Sequence, residues 1–235
     1  MSTDPELLER HVRALFVHDA RRGRIVHVNE PSGVRRAAPR FYLGRSRVSR
    51  VVRIGPGVPD ATADALAALA ATEVPDDDVR APPRHAARYE RLLASQAPVT
   101  ARWSGPAFRF ADLDRECHDV VAISAGSADA LRGGFDAWLP DVRDWQPFVA
   151  YLIDGRAVAI CASVRITEDA HEAGVETLPA FRGRSYAVDV VGAWARRVRA
   201  LGATPLYSTS WQNAASLRVA AKLRLVVYAT DYHLT

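Results

Sequence analysis

Cysteine, methionine and lysine are nearly absent from this chain of 235 residues. The two cysteines, Cys117 and Cys161, cannot build a disulfide framework. Cys161 sits in the apolar run Ala157-Val158-Ala159-Ile160-Cys161-Ala162, where a thiol packs like a small hydrophobe. Cys117 adjoins His118, but one adjacent pair lacks the spacing of metal ligands, so no metal is expected. No apolar run approaches the roughly 20 residues that cross a bilayer. The opening Met1-Ser2-Thr3-Asp4-Pro5-Glu6 is acidic and polar, unlike a signal peptide, so the expectation is a soluble cytoplasmic protein without a membrane partner. HExxH, GxSxG, P-loop and CxxC patterns are missing, which sets aside the common metalloprotease, hydrolase and NTPase motifs.

What is present is ordinary globular composition, 49% hydrophobic and 25% charged. The length suits one large domain or two small ones. Charge is uneven. Residues 1–55 hold 12 Arg against 5 acidic residues, a net of +7, so the remainder carries −3 of the overall +4. Lys222 is the single lysine. The N-terminal arginines alternate with strand-type residues, as in Arg45-Ser46-Arg47-Val48-Ser49-Arg50-Val51-Val52-Arg53, which fits a solvated sheet face better than a nucleic-acid surface.

Periodicity divides the chain into elements. Residues 6–17 read as a short helix, 24–28, 40–43 and 48–54 as strands, and 61–72 and 84–94 as helices. The stretch 73–83, with Asp76-Asp77-Asp78 and Pro82-Pro83, reads as an exposed loop. Gln96-Ala97-Pro98 and Ser104-Gly105-Pro106 suggest a boundary within 95–106, separating an N-terminal α/β segment, 1–95, from a second unit, 100–235. In the second unit, 120–123 reads as a strand and 127–139 as a helix. Residues 148–153 and 157–166 read as a hairpin about Asp154-Gly155. A strand over 171–178 precedes Pro179. An amphipathic helix follows to Leu201, with Ala187, Val190, Val191, Trp194, Val198 and Leu201 on one stripe, and Gly202 stops it. The chain closes with a strand at 206–210, a helix at 213–223 and a strand at 225–232. The class is α/β, mixed in the α+β sense.

The informative segment is Glu176-Thr177-Leu178-Pro179-Ala180-Phe181-Arg182-Gly183-Arg184-Ser185-Tyr186-Ala187. A strand ends, a short basic loop follows, and a helix starts within it. Unpaired amides and the positive dipole end at such a start bind phosphate. A basic loop at a helix start is also common without any ligand.

This segment resembles the acyl-CoA-binding motif of the GNAT superfamily of N-acyltransferases, Arg/Gln-x-x-Gly-x-Gly/Ala. Arg182 to Ala187 occupy it in order after Pro179 and Phe181. Downstream, Trp211-Gln212-Asn213-Ala214-Ala215-Ser216 and Ala221-Lys222-Leu223 resemble the family's next block. Glu176-Thr177 before the proline, with Trp211 before Asn213, is most similar to a bacterial branch. The match covers about 147–235 well and 100–146 by element order; 1–95 matches no motif.

The resemblance implies a GNAT-like central mixed sheet flanked by helices, preceded by the extra segment. It implies acetyl-CoA as co-substrate, its pyrophosphate on the amides of Arg182, Gly183, Arg184, Ser185, Tyr186 and Ala187. Main-chain groups near Val175 and Thr177 would hold the thioester, in a splay between the strands at 171–178 and 206–210. Asn213 and Ser216 would touch the cofactor arm; their alternatives are an N-cap and a residue of the first turn. The implied reaction is direct attack by a small-molecule amine on the thioester.

Glu176 is the candidate general base, its alternative an ion pair with Arg182, Arg184 or a neighbouring arginine. On a strand Glu172, Gly174 and Glu176 share one face, with Glu172 roughly 13 Å from Glu176. Three residues depart from the motif. Ser185 replaces a glycine, Ala220 stands where many members place a proton-donating tyrosine, and Arg224 replaces a helix-ending glycine. Tyr207 reads as a core strand residue and only secondarily as an acid. Ser185 and the missing tyrosine at Ala220 favour, as the alternative, a catalytically silent acyl-CoA-binding or regulatory module.

Overall fold

The computed structural model describes residues 3–74, 78, 80–111 and 119–235. Cys117 and most of the acidic run at 76–78 lie outside the described residues. The elements run α1 (Asp4–Leu15), β1 (Phe16–His18), β2 (Ile25–Val28), β3 (Phe41–Arg45), β4 (Arg50–Ile54), α2 (Asp60–Ala70), α3 (Ala86–Ala94) and β5 (Arg102–Arg109). They continue with β6 (Val120–Ala122), two 3-10 segments (Ala125–Leu131 and Asp136–Asp141), β7 (Phe148–Ile153), β8 (Arg156–Ile166) and β9 (Ala170–Thr177). After a short 3-10 turn (Pro179–Phe181) come α4 (Tyr186–Ala200), β10 (Thr204–Ser208), α5 (Ala214–Lys222) and β11 (Val226–Leu234). None of the described helices is long and apolar enough to cross a membrane.

Nine strands form one mixed sheet in the order β4-β3-β11-β5-β10-β9-β8-β7-β6. Only the β9–β10 pair among them is parallel. The mixed α/β class expected from the sequence is therefore what the chain adopts. The β7–β8 hairpin turns at Asp154 and Gly155, both at positive φ, as an Asp-Gly turn of that kind requires.

Helix α4 packs its predicted stripe on the sheet except at Leu201, which lies just past the last helical residue and is 66% exposed. Val190, Val191, Trp194 and Val198 are fully buried with Val149, Cys161 and Tyr207, at roughly 1.5–3 kcal/mol for each large side chain. The polar edge of Trp194 is satisfied there, its Nε1 donating to Ser163 Oγ at 3.0 Å.

Two expectations fail for identifiable reasons. The helix expected over 127–139 is instead two 3-10 segments, broken at Gly133, whose φ of +79° no right-handed helix accommodates. Residues 102–106 run inside β5, near the middle of the sheet, although their Gly-Pro pair reads as a break. Gly105 is required there: a Cβ would lie 1.8 Å from the carbonyl oxygen of Thr209.

The arginine-rich N-terminal strands extend the same sheet, β3 pairing with β11 from Phe41↔Leu234 to Arg45↔Thr230. Their guanidiniums reach the C-terminal ends of the neighbouring helices. Arg50 donates to the carbonyl of Ala71 after α2, and Arg40 to those of Leu93 and Ala97 at the end of α3. Cations at helix C-termini meet both the unsatisfied carbonyls and the negative dipole end.

Helix α1 is fastened by a buried charge cluster. His11 Nε2 lies 2.7 Å from Asp231 Oδ2, and its Nδ1 lies 3.5 Å from the buried Glu172. Tyr42 donates to the other oxygen of Asp231 at 2.8 Å. Burial opposes the imidazolium, but the two carboxylates outweigh it and raise His11 from 6.5 to about 10. Its stabilising contribution is therefore full below pH 6.5 and is lost as pH rises from there through about 10. Replacing His11 by Leu leaves buried carboxylates without their cation. Urea unfolding at pH 7 should show a loss of about 3–5 kcal/mol. Unfolding repeated at pH 10 should show the variant's deficit against wild type much reduced.

Candidate functional site

Strands β9 and β10 run parallel for only three paired positions, Thr204↔Ala170, Pro205↔His171 and Leu206↔Glu172. Each then follows its other neighbour. β9 stays on β8 as far as Thr177↔Ala159, and β10 stays on β5 as far as Ser208↔Ala107. The strands part, and a cleft of about 710 Å³ opens between them. Its walls are β9 from Ala173 to Thr177, the loop and first turn of α4, the end of β10, and α5 from Asn213 to Lys222.

The loop entering α4 has an unusual backbone. Gly183 has φ +82° and Ser185 φ +70°, so the chain turns through left-handed conformations at alternate residues. A serine there costs roughly 1–2 kcal/mol relative to an unstrained position. The N–H groups of Gly183, Arg184, Ser185, Tyr186 and Ala187 find no acceptor among the described residues; the first amide of this region to do so is that of Val188, which donates to Ser185 O at 2.9 Å. Five successive free amides thus stand at the positive end of a 15-residue helix. Arg182, Arg218 and Lys222 border the same cleft, and among the described residues its one acidic lining residue is Glu176.

Several contacts hold this loop. Lys222 Nζ donates to Ser185 Oγ at 2.9 Å, tying the end of α5 to the start of α4. Arg182 Nε donates to Thr177 O at 3.3 Å. Tyr186 packs on Tyr151 with ring centroids 4.3 Å apart.

Glu176, Val175, Thr177, Arg182, Gly183, Ser185, Tyr186, Ala187, Asn213 and Ser216 all border the cleft. Arg184 does not; its guanidinium lies over the Phe181 ring, 5.7 Å from the centroid. Glu176 forms no ion pair with an arginine among the described residues. Its exposed carboxylate instead accepts from Trp138 Nε1 at 2.6 Å. Trp138 is itself held edge-on by Trp145 and Phe148 and abuts Gly174. Asn213 is the N-cap of α5, accepting from the Ser216 amide at 3.1 Å, and faces the cleft as well.

Sequence reasoning did not foresee Trp138, because the helix expected there hid its neighbour on β9. It also left Lys222 without a partner and gave Tyr207 little weight. Tyr207 borders the cleft, and its hydroxyl lies 2.6 Å from Ser216 Oγ. Ala220 is buried against α4. Arg224 adopts φ +52°, so the turn that a glycine would make is made by an arginine, with Leu225 N donating to Ala220 O at 3.0 Å. If the left-handed φ is the cost at Ser185, Ser185→Gly should raise stability by about 1 kcal/mol, read as a higher urea midpoint at unchanged slope.

No protein-family model matches the chain, and no curated relative is found. Among solved structures, a protein described as a GNAT-family acetyltransferase from Novosphingobium aromaticivorans aligns at 21% identity and a TM-score of 0.47, over 58% of this chain and 65% of its own length. A GCN5-related N-acetyltransferase-like protein from Streptococcus suis aligns at 16% identity and 0.49, over 84% and 85%. The chain spans 62% of the length of a GNAT-family acetyltransferase from Colwellia psychrerythraea, at 15% identity and 0.44.

Proposed function

We propose that this chain is an acetyl-CoA-dependent N-acetyltransferase of the GNAT type, moving an acetyl group to a primary amine of a small molecule. The observation that carries the reading is the row of free amides from Gly183 to Ala187, set beside Arg182, Arg218 and Lys222 at the mouth of a strand splay. Amides of that kind, with a helix dipole behind them and cations around them, suit a diphosphate. Residues 100–235 would carry the transfer, with 1–95 as an added α/β segment.

The opened edge of β9 suits the rest of the cofactor. From Ala173 to Thr177 it has no strand partner on the β10 side among the described residues, which suits an extended arm that carries amides of its own. An arm laid along this edge from the loop brings its thioester between Val175 and Thr177, within reach of Glu176. Asn213 and Ser216 would flank the arm from α5.

Aminolysis needs a neutral amine and a polarised carbonyl. Glu176 is the base in this reading, taking the amine proton directly or through one water, with Trp138 fixing its carboxylate. A free N–H of the β9 edge would polarise the carbonyl.

Removing the base should separate binding from turnover. Glu176→Gln should bind CoA as wild type does, by thermal shift, while acetyl-CoA-dependent thiol release with a panel of amines falls by about 10²–10⁴-fold. Near-wild-type turnover would remove Glu176 from the mechanism. CoA binding by the wild type with no turnover for any amine would favour the silent binding module.

A further inference from the structure

Just past the last pairing of β10 with β9, at Leu206, Tyr207 borders the cleft. Its ring is 2% exposed and meets Phe108 edge-on in the core beneath α4. Its hydroxyl lies 2.6 Å from the Oγ of Ser216, another residue bordering the cleft, on the first turn of α5. A side chain at position 220 would lean back toward the N-terminus of α5, over Ser216. Ala220 puts no hydroxyl there, whereas Tyr207 and Ser216, which both border the cleft, hold their hydroxyls 2.6 Å apart.

Cleavage of a thioester leaves an electron pair on sulfur, and the charge that develops there has to be met. Burial is the main reason the phenol of Tyr207 is pushed up to about 12. It therefore stays protonated at neutral pH and holds its proton more tightly than a thiol of ordinary pKa, near 8.5. Such a group is a poor acid toward a thiolate but a good fixed donor.

We propose that the Tyr207–Ser216 hydroxyl pair is the hydrogen-bond donor that stabilises the departing thiolate, a role resting on the acyl-transfer reading above. As the bond from amine nitrogen to carbonyl carbon forms, the C–S bond breaks and its electron pair passes to sulfur. One hydroxyl donates to that sulfur and the other donates to the first, so neither oxygen loses its proton. The amine proton goes to Glu176, and the thiolate takes a proton from solvent on release. The reaction needs no separate general acid.

Tyr207→Phe keeps the ring and removes only the donor; Ser216→Ala removes the second member. Both variants of the full chain are assayed with acetyl-CoA and the best amine of the panel. CoA thermal shift and the solvent isotope effect on kcat are measured in parallel. Tyr207→Phe should lower kcat about 100-fold, as loss of one transition-state donor does, with the KM for acetyl-CoA and the CoA-induced shift unchanged. Ser216→Ala should lower kcat less. Wild-type kcat in Tyr207→Phe would overturn the proposal, and loss of the CoA shift would reduce Tyr207 to packing. A solvent isotope effect that Tyr207→Phe abolishes would mean that the proton itself is transferred, which also overturns it. A wild type without turnover overturns acyl transfer and this role together; an active wild type beside an unimpaired Tyr207→Phe overturns this role alone.

Discussion

The candidate site depends on one event in the sheet, the parting of two parallel strands after three paired positions. Parallel neighbours would ordinarily keep pairing, because each unpaired N–H and C=O forgoes a hydrogen bond. Here both strands are held from outside, β9 by β8 and β10 by β5, through positions beyond the split. Gly105 helps fix the divergence: without a side chain, β5 lets the backbone at Thr209 come against it, drawing the chain after β10 away from β9. The result is an inner edge of β9 that no described strand pairs with beyond Glu172 on the β10 side.

Strain is placed at the rim of that opening. Ser185 begins α4 and Arg224 ends α5, both at positive φ without being glycine. Residues in such conformations persist only where their surroundings over-determine them. At Ser185 the constraint is visible: Lys222, the one lysine of the chain, comes from α5 to hold its hydroxyl. The same turn leaves successive amides without an acceptor among the described residues, so the strained backbone and the row of free amides are one feature. Glu176 borders the same cleft as this basic rim, its carboxylate held by Trp138.

The loop, α4, α5 and the β7–β8 hairpin were readable from periodicity and turn residues, since each is a local pattern in 10 to 20 residues. What escaped was non-local. Gly105 and Pro106 read as punctuation, although one is a close crossing and the other a tolerated strand residue; nothing nearby in sequence names Thr209 as the neighbour. Trp138 looked like an apolar helix position, and its indole N–H acquires meaning only when β9 lies beneath it. Of the arginines of 1–55 that read as strand residues, Arg45, Arg50 and Arg53 lie in strands while Arg47 falls in the bend between β3 and β4, and the acceptors of Arg50 and Arg40, carbonyls at the ends of α2 and α3, lie 21 to 57 residues away. Spacing put Glu176 and the loop in one place, because only a few residues separate them. It could not supply Tyr207 with Ser216, which depends on where α5 folds back.

Calorimetry comparing coenzyme A with pantetheine, which shares the arm but lacks the diphosphate, tests the amide row most directly. With each N–H donating to an anionic oxygen, coenzyme A should bind at least about 100-fold more tightly, the equivalent of roughly two charge-assisted hydrogen bonds. Equal affinities, or no heat from either at millimolar concentration, would contradict the account.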